Sequence, residues 1–253
     1  MSDVQLETRA LSRRFGALTA VQEIDFKLAV GARHALIGPN GAGKTTFINL
    51  LTGALRPTHG RVLLRGRDIT DKAQAARVKL GIARTFQINR LFRGLSVLEN
   101  VCIPVAERVG AAPSMFYPVG RNTDVIAESM HLLERLKLAD VARHRVSELP
   151  YGRQRLVELA IALGLKPEVL LLDEPAAGVP SAESHIILDA IVRLPEHIAV
   201  LIIEHDMDVV FRFAKRVTVM VSGTVFAEGT PREIAENPQV RTVYLGQVGQ
   251  RTG

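Results

Sequence analysis

Apolar and polar residues alternate with different periods in different parts of the chain, and the changes of period mark its organisation. From Leu6 to Leu28 apolar and polar positions alternate in places, which predicts strands flanking a turn at Phe15-Gly16-Ala17. His34-Ala35-Leu36-Ile37 is a short apolar run of the kind buried in a parallel sheet, and Arg61 to Gly66 predicts another strand. After Gly81 the spacing becomes helical over Val97 to Val105, Asp124 to Leu138 and Gln154 to Leu163, with Ile126, Met130, Leu133 and Leu136 on one face. Ala111 to Gly120, which holds Pro113 and Pro118, predicts a loop. From Glu168 onward strands and helices alternate: Val169 to Leu172, a helix over Ser181 to Val192, Ile198 to Ile203, a helix near Met207 to Phe213, then Arg216 to Val221. Ser222-Gly223 between Val217 to Val221 and Thr224 to Ala227 is a hairpin signal. The fold class is therefore α/β, with a helical insertion between two halves of a sheet.

A chain of 253 residues with 47% hydrophobic content can bury a real core. Its apolar runs are far too short to cross a bilayer, and the polar start at Met1-Ser2-Asp3 predicts no signal peptide. The single cysteine, Cys102, excludes an internal disulfide and suits a cytosolic protein. A net charge of +6 suits anionic ligands or surfaces in general. Arg84, Arg90, Arg93, Arg108 and Arg121 are scattered, without the basic run and interleaved aromatics of a nucleic-acid platform, so a solvated basic surface and no nucleic-acid partner are expected.

Gly38-Pro39-Asn40-Gly41-Ala42-Gly43-Lys44-Thr45 changes the picture, because it is a phosphate-binding loop placed directly after an apolar strand. Its glycines let successive amides turn inward toward phosphates. Lys44 supplies charge to the β- and γ-phosphates, Thr45 offers a hydroxyl to magnesium, and Thr46 to Leu51, closed by Gly53, reads as a helix with its positive end toward the anion. Val169 to Leu172 then ends in Asp173-Glu174, where an α/β sheet places its ligand. Paired with the loop, Asp173 is expected to hold the metal and Glu174 to polarise the attacking water. Ile202-Ile203-Glu204-His205 sets a histidine at another strand end, where contact with the γ-phosphate is expected.

In order along the chain, the loop, Gln87 in Arg84-Thr85-Phe86-Gln87, Leu149-Pro150-Tyr151-Gly152-Arg153-Gln154-Arg155, Asp173-Glu174 and His205 resemble an ATP-binding cassette ATPase subunit over nearly the whole length. Gly81 to Gln87 with Leu91-Phe92, Leu95 to Val101, Tyr151-Gly152, Asp173 to Gly178 and the tail from Gly229-Thr230-Pro231 to Tyr244-Leu245-Gly246 are similar to the branched-chain amino acid importer ATPases of bacteria. The resemblance implies a P-loop NTPase (RecA-like) core with an antiparallel β subdomain over 1–87 and 165–253, and an inserted α-helical subdomain over 88–164. It also implies ATP and Mg2+ as ligands. Gly38, Asn40, Gly41, Ala42, Gly43, Lys44, Thr45 and Thr46 would bind the nucleotide, Phe15 would stack on adenine unless it is a core residue, and Thr45, Gln87 and Asp173 would serve the metal. Gln87 would link the metal and water to the transmembrane partner. Tyr151 and Gly152 lie in the signature segment, which acts on ATP held by another subunit. The implied partners are membrane permease subunits, a second ATPase subunit of the same or a homologous chain, and indirectly a periplasmic substrate-binding protein. The implied location is peripheral, on the cytoplasmic face of the inner membrane.

Two departures stand out. Pro150 replaces a serine whose hydroxyl usually reaches the partner's γ-phosphate, and Val179-Pro180-Ser181 replaces a polar residue between the two active sites. A soluble cassette ATPase of DNA repair would insert a long coiled coil, and one of translation would carry two cassettes; neither is present. A nucleotide-gated interaction module with little hydrolysis is the reading the two prolines leave open. A P-loop kinase would leave Gln87, the signature segment and His205 without a role.

Overall fold

The computed structural model describes residues 4–85, 91–111 and 122–245. The chain begins with β1 (Val4–Phe15), β2 (Leu18–Ala29), β3 (Arg33–Ile37), α1 (Lys44–Thr52), β4 (His59–Leu64), β5 (Arg67–Asp68), α2 (Gln74–Lys79) and β6 (Ile82–Arg84). Three helices follow, α3 (Val97–Arg108), α4 (Thr123–Arg135) and α5 (Tyr151–Gly164). The remainder alternates: β7 (Val169–Asp173), α6 (Ser181–Val192), β8 (Ala199–Ile203), α7 (Met207–Phe213), β9 (Arg216–Val221), β10 (Thr224–Gly229), α8 (Pro231–Glu236) and α9 (Pro238–Leu245). Two compact units result, one of residues 1–77 with 195–253, the other of residues 78–194.

The first unit contains a four-stranded sheet in the order β2-β1-β4-β5, in which every pair is antiparallel. It also contains β3 between two parallel neighbours, with Ala35 beside Ile202 of β8 on one side and Val217 of β9 on the other. Every residue of β3 and β8 is buried: β8 is apolar throughout, as a strand covered on both faces requires, and β3 adds the buried polar Arg33 and His34 ahead of Ala35-Leu36-Ile37. β10 closes this group antiparallel to β9, through the tight turn Ser222-Gly223, whose φ values of 48° and 82° are both left-handed. A two-residue hairpin turn of that kind matches the twist of its strands. The helix after the phosphate loop buries Phe47, Ile48, Leu50 and Leu51, and Phe26 of β2 meets the rings of both Phe47 and His34 edge-on at 5.5 and 5.0 Å.

The second unit pairs β6 with β7 in parallel, Ala83 beside Leu170, and packs α3, α4 and α5 together. Ser96 starts α3 with a reciprocal cap: its hydroxyl accepts from the Glu99 amide, and the Glu99 carboxylate accepts from the Ser96 amide. Asn100, 1% exposed, ties the approach to that helix by accepting from the Phe92 amide and donating to the carbonyls of Phe92 and Ser96. The structure corrects the predicted face of the next helix. α4 buries Val125, Ser129, Leu132 and Leu133, whereas Ile126 and Met130 lie at its margin, and the helix stops at Arg135 rather than Leu138. The predicted strand over 61–66 begins at His59 and ends at Leu64, because Arg65-Gly66 form the turn into β5. Most of the loop expected over 111–120 lies outside the described residues.

Two buried polar side chains in the first unit make separate demands on stability. Arg77, 1% exposed, donates to the carbonyls of Leu50 and Leu51 at the end of α1, and to those of Thr70 and Lys72. It spreads one cation over a helix terminus whose carbonyls have no partner within the helix. Replacing Arg77 with Met is expected to lower unfolding free energy by about 3–5 kcal/mol, since four carbonyls lose a charged donor. Arg77→Lys is expected to recover little, and urea denaturation of the three proteins measures both effects. His34 is 1% exposed and shares a 2.8 Å hydrogen bond between its Nε2 and the Thr218 hydroxyl; burial pushes its pKa down to about 4. Because the folded state holds this imidazole neutral while the unfolded state protonates near pH 6.5, stability is complete above that pH and falls as the pH drops toward 4. Between pH 7.5 and 5 the wild type should lose about 2 kcal/mol that His34→Gln does not lose, read from denaturation midpoints at the two pH values.

Candidate functional site

The phosphate loop is shaped by close approach of other backbone. Gly43, at φ 95°, lies where a Cβ would meet the Ala20 carbonyl oxygen at 2.3 Å, and at Gly38, φ 151°, a Cβ would meet that of Met220 at 2.2 Å. Neither position tolerates a side chain. The Ala42 carbonyl accepts from the Gly223 amide at 3.0 Å, and the Gly223 carbonyl accepts from Gln22 at 2.8 Å, so the hairpin turn pins the loop to β2. Lys44 folds back to donate from Nζ to the carbonyls of Gly38 at 2.6 Å and Pro39 at 3.1 Å. Gly43 caps α1 without a side-chain bond, and no acid occupies the first turn. The amides there and the helix dipole thus favour an anion. Asn40, Gly41 and Thr45 are exposed, and Thr46 is half-buried.

Within the same unit, Phe15 ends β1 and is 43% exposed, with the Arg13 guanidinium 4.6 Å from its ring centre. Its exposure removes the core role and leaves a ring face available for stacking. His205 follows β8 and is exposed; its amide donates to Glu204 Oε2 at 3.2 Å. The carboxylate of Glu204 is itself buried, 3% exposed, and Asp206 caps α7 by accepting from the Asp208 amide.

In the second unit β7 delivers two neighbouring carboxylates to different environments. Asp173 is 5% exposed and accepts from the Arg84 guanidinium at 2.5 Å across 89 residues of sequence. Glu174 is half-buried, and its backbone adopts φ 45°, a left-handed conformation that is unfavourable for a residue with a Cβ. Its carbonyl accepts from the Ala177 amide, closing the turn that leads to Gly178. A cavity of about 20 Å3 beside Asp173, lined also by Thr85, Arg155, Glu158 and Pro175, has room for a single water. Burial pushes the Glu158 carboxyl up, against the pull of the adjacent Arg155 guanidinium at 2.9 Å.

The signature segment starts α5. Pro150 occupies the cap position without a side-chain bond, Gly152 is buried, and the Gln154 amide group donates to the Leu149 carbonyl at 2.8 Å. Tyr151 packs between the Arg155 guanidinium, 5.0 Å from its ring centre, and Gly178, where a Cβ would lie 3.5 Å from the ring. The second unit therefore brings together Tyr151, Gly152, Asp173, Glu174 and the turn at Gly178, while the first assembles the phosphate loop.

Gln87 lies outside the described residues, as do Arg90 and Arg121. The expectation of a uniformly solvated basic surface fails for two arginines. Arg84 is engaged with Asp173, and Arg108 pairs with Glu128 at 2.6 Å while donating to the Gly164 carbonyl. Arg84 is the residue of the site that the sequence pattern missed. Its only signal was a cation on a strand of otherwise apolar text. Among the described residues no group of three or more His, Cys, Asp or Glu side chains forms a metal cage.

Comparison with known proteins bears on this arrangement. Residues 21–177 match the family model described as ABC transporter, and residues 224–249 match the model described as branched-chain amino acid ATP-binding cassette transporter. The chain is 39% identical to the high-affinity branched-chain amino acid transport ATP-binding protein LivG of Salmonella typhimurium, over 98% of this chain and 100% of that one. It is 36% identical to the corresponding protein BraF of Pseudomonas aeruginosa, over 98% and 100% of the two chains. Among solved structures, the ADP conformation of an ATP-binding cassette from an ABC transporter superposes with a TM-score of 0.86 at 32% identity, covering 97% of this chain and 100% of that one. A nucleotide-free cassette gives 0.84 at 31%, covering 95% and 98%. No helix among the described residues is long and apolar enough to cross a membrane. With its phosphate loop, carboxylate strand and signature helix in the order and form of these cassettes, the chain belongs to the ATP-binding cassette transporter family and is a nucleotide-binding ATPase subunit of it.

Proposed function

We propose that this chain hydrolyses MgATP to drive a bacterial importer of branched-chain amino acids or a related small polar or organic-acid substrate. The observation that carries the reading is the near-full-length likeness to transport ATPases of that kind, through to the 224–249 segment. In this reading the chain sits on the cytoplasmic face of the inner membrane, bound to permease subunits that receive substrate from a periplasmic binding protein. Residues 88–164 serve as the helical subdomain, and Gln87 with the stretch that follows conveys the nucleotide state to the permease.

The roles follow from the residues. The loop amides and Lys44 hold the β- and γ-phosphates, Phe15 stacks on adenine, and His205 contacts the γ-phosphate. The Thr45 hydroxyl and the Asp173 carboxylate are hard oxygen donors of the type magnesium takes, few in number, as suits a metal that arrives with its nucleotide. Bound magnesium would neutralise charge that develops on the phosphates. Glu174 accepts a proton from the water that attacks the γ-phosphorus, while the bond to the ADP oxygen breaks and phosphate leaves. Tyr151 and Gly152 complete the site of a second ATPase subunit, so ATP is held at a head-to-tail dimer interface.

Glu174→Gln removes the base but no binding group. ATP affinity should stay within about twofold while steady-state phosphate release by the assembled transporter falls by roughly 10²–10⁴. Turnover near the wild-type rate in that assay removes Glu174 from the role. Arg84 acts through Asp173: its guanidinium pairs with the buried carboxylate and holds its orientation. Replacing Arg84 with Met should raise the magnesium concentration for half-maximal MgATP binding by about 10- to 100-fold and leave metal-free ATP binding unchanged. Titrating magnesium against a fluorescent ATP analogue reads this directly, and an unchanged midpoint overturns it.

A further inference from the structure

Away from the nucleotide-handling residues, a cavity of about 200 Å3 opens where the end of α4, the end of α5 and the middle of α6 meet. Its floor is apolar: Leu132, Leu136, Leu163 and Leu194 are each no more than 9% exposed. Its rim is cationic. Arg135, Lys137 and Arg193 line it, against the single carboxylate of Asp189. Among the described residues, these three cations take part in no ion pair.

Helix ends account for part of this charge. Arg135 lies in the last turn of α4 and Arg193 caps α6, where the negative end of a helix favours a cation. Lys137 follows the cap of α4 at the same helix end. Its backbone is left-handed at φ 57°, with the Leu138 amide donating to the Leu133 carbonyl and the Lys137 amide to that of Glu134. This is the helix-terminating motif that glycine closes without steric conflict, yet here the strained position carries a lysine that lines the cavity. A leucine-floored pocket ringed by cations is complementary to an amphipathic anion.

We propose that this cavity binds a small aliphatic carboxylate, its tail on the leucine floor and its carboxylate among Arg135, Lys137 and Arg193. Asp189 offers an acceptor to an α-ammonium group, so an aliphatic amino acid and the matching 2-oxo acid are two sources of the same chemistry. The cavity touches α5, which begins at Tyr151, and α6, which follows the Glu174 turn. Occupancy therefore changes the rate of ATP hydrolysis, a consequence that rests on the function proposed above; the binding does not.

The test is a calorimetric titration of the full chain with leucine, 4-methyl-2-oxopentanoate, 4-methylpentanoate and, as the cationic counterpart, 3-methylbutylamine. One-to-one binding of at least one carboxylate is expected, with a dissociation constant of roughly 10 μM to a few mM for a ligand of about nine heavy atoms. Arg193→Ala should weaken it at least tenfold, and Ala190→Phe, which fills the cavity without touching the cations, should abolish it. The rank order of the three carboxylates identifies the source. The proposal is overturned if no carboxylate binds, if the amine binds as well as they do, or if both variants bind like the wild type. Binding of a fluorescent ATP analogue on the same samples separates the readings: retained nucleotide binding with no carboxylate binding refutes the cavity alone.

Discussion

A phosphate loop can curl only where no side chain obstructs it, and here the obstruction comes from the backbone of two different strand groups. The Ala20 carbonyl on β2 closes over Gly43, and the Met220 carbonyl on β9 closes over Gly38. The loop is thereby clamped from the antiparallel sheet and from the parallel strands at once, with the Ala42–Gly223–Gln22 hydrogen bonds joining the two clamps. At its far end, α1 is held by Phe47 against Phe26 and by Arg77 on the carbonyls of Leu50 and Leu51. Rigidity at both ends is what a preorganised anion site requires, since a loop that must be ordered by its ligand spends binding energy on ordering.

The two carboxylates at the end of β7 show how one strand end creates two environments. Asp173 is buried, and a buried carboxylate is tolerable only when paired; Arg84 supplies the pair from the neighbouring strand. Its position is set before any ligand arrives. Glu174 has the opposite character, half-buried and carried on a strained backbone. Strain of that kind, of order 1–3 kcal/mol, persists only where surrounding structure enforces it, here the turn closed by the Ala177 amide. A fixed, ion-paired carboxylate next to one aimed by a strained backbone is a difference in character that identical side-chain chemistry could not produce without the difference in environment.

What was legible in the sequence was local. The turn from β3 into α1, the strand runs of β3, β7 and β8, and the Ser222-Gly223 hairpin each depend on a few consecutive residues, and each formed to within a residue or two of its reading. Arg84 was illegible because its meaning is a partner 89 positions away, and a count of charges cannot distinguish it from an exposed arginine such as Arg93. The face of α4 was misread for a related reason. Stripes through Ile126–Met130 and Val125–Ser129 share Leu133, and the polar Ser129 argued against its own burial, although it is fully enclosed. Which stripe faces inward is settled by α3 and α5, not by α4's own text.

The start of α5 shows a further substitution of packing for hydrogen bonding. A serine at the cap would accept from an amide of the first turn and stabilise the helix by about 1 kcal/mol. Pro150 cannot accept in this way, but its fixed φ, here −55°, sets the chain's entry, and Tyr151 supplies contact area against Gly178 and Arg155 in place of the missing bond. The amides that a serine would have occupied are left without a side-chain acceptor. Because the first turn carries no acid, nothing in the segment competes for them, and the helix end keeps its full capacity for an external anion. Loss of the hydroxyl thus removes one side-chain hydrogen-bonding group from the helix start while leaving the first-turn amides without a side-chain acceptor.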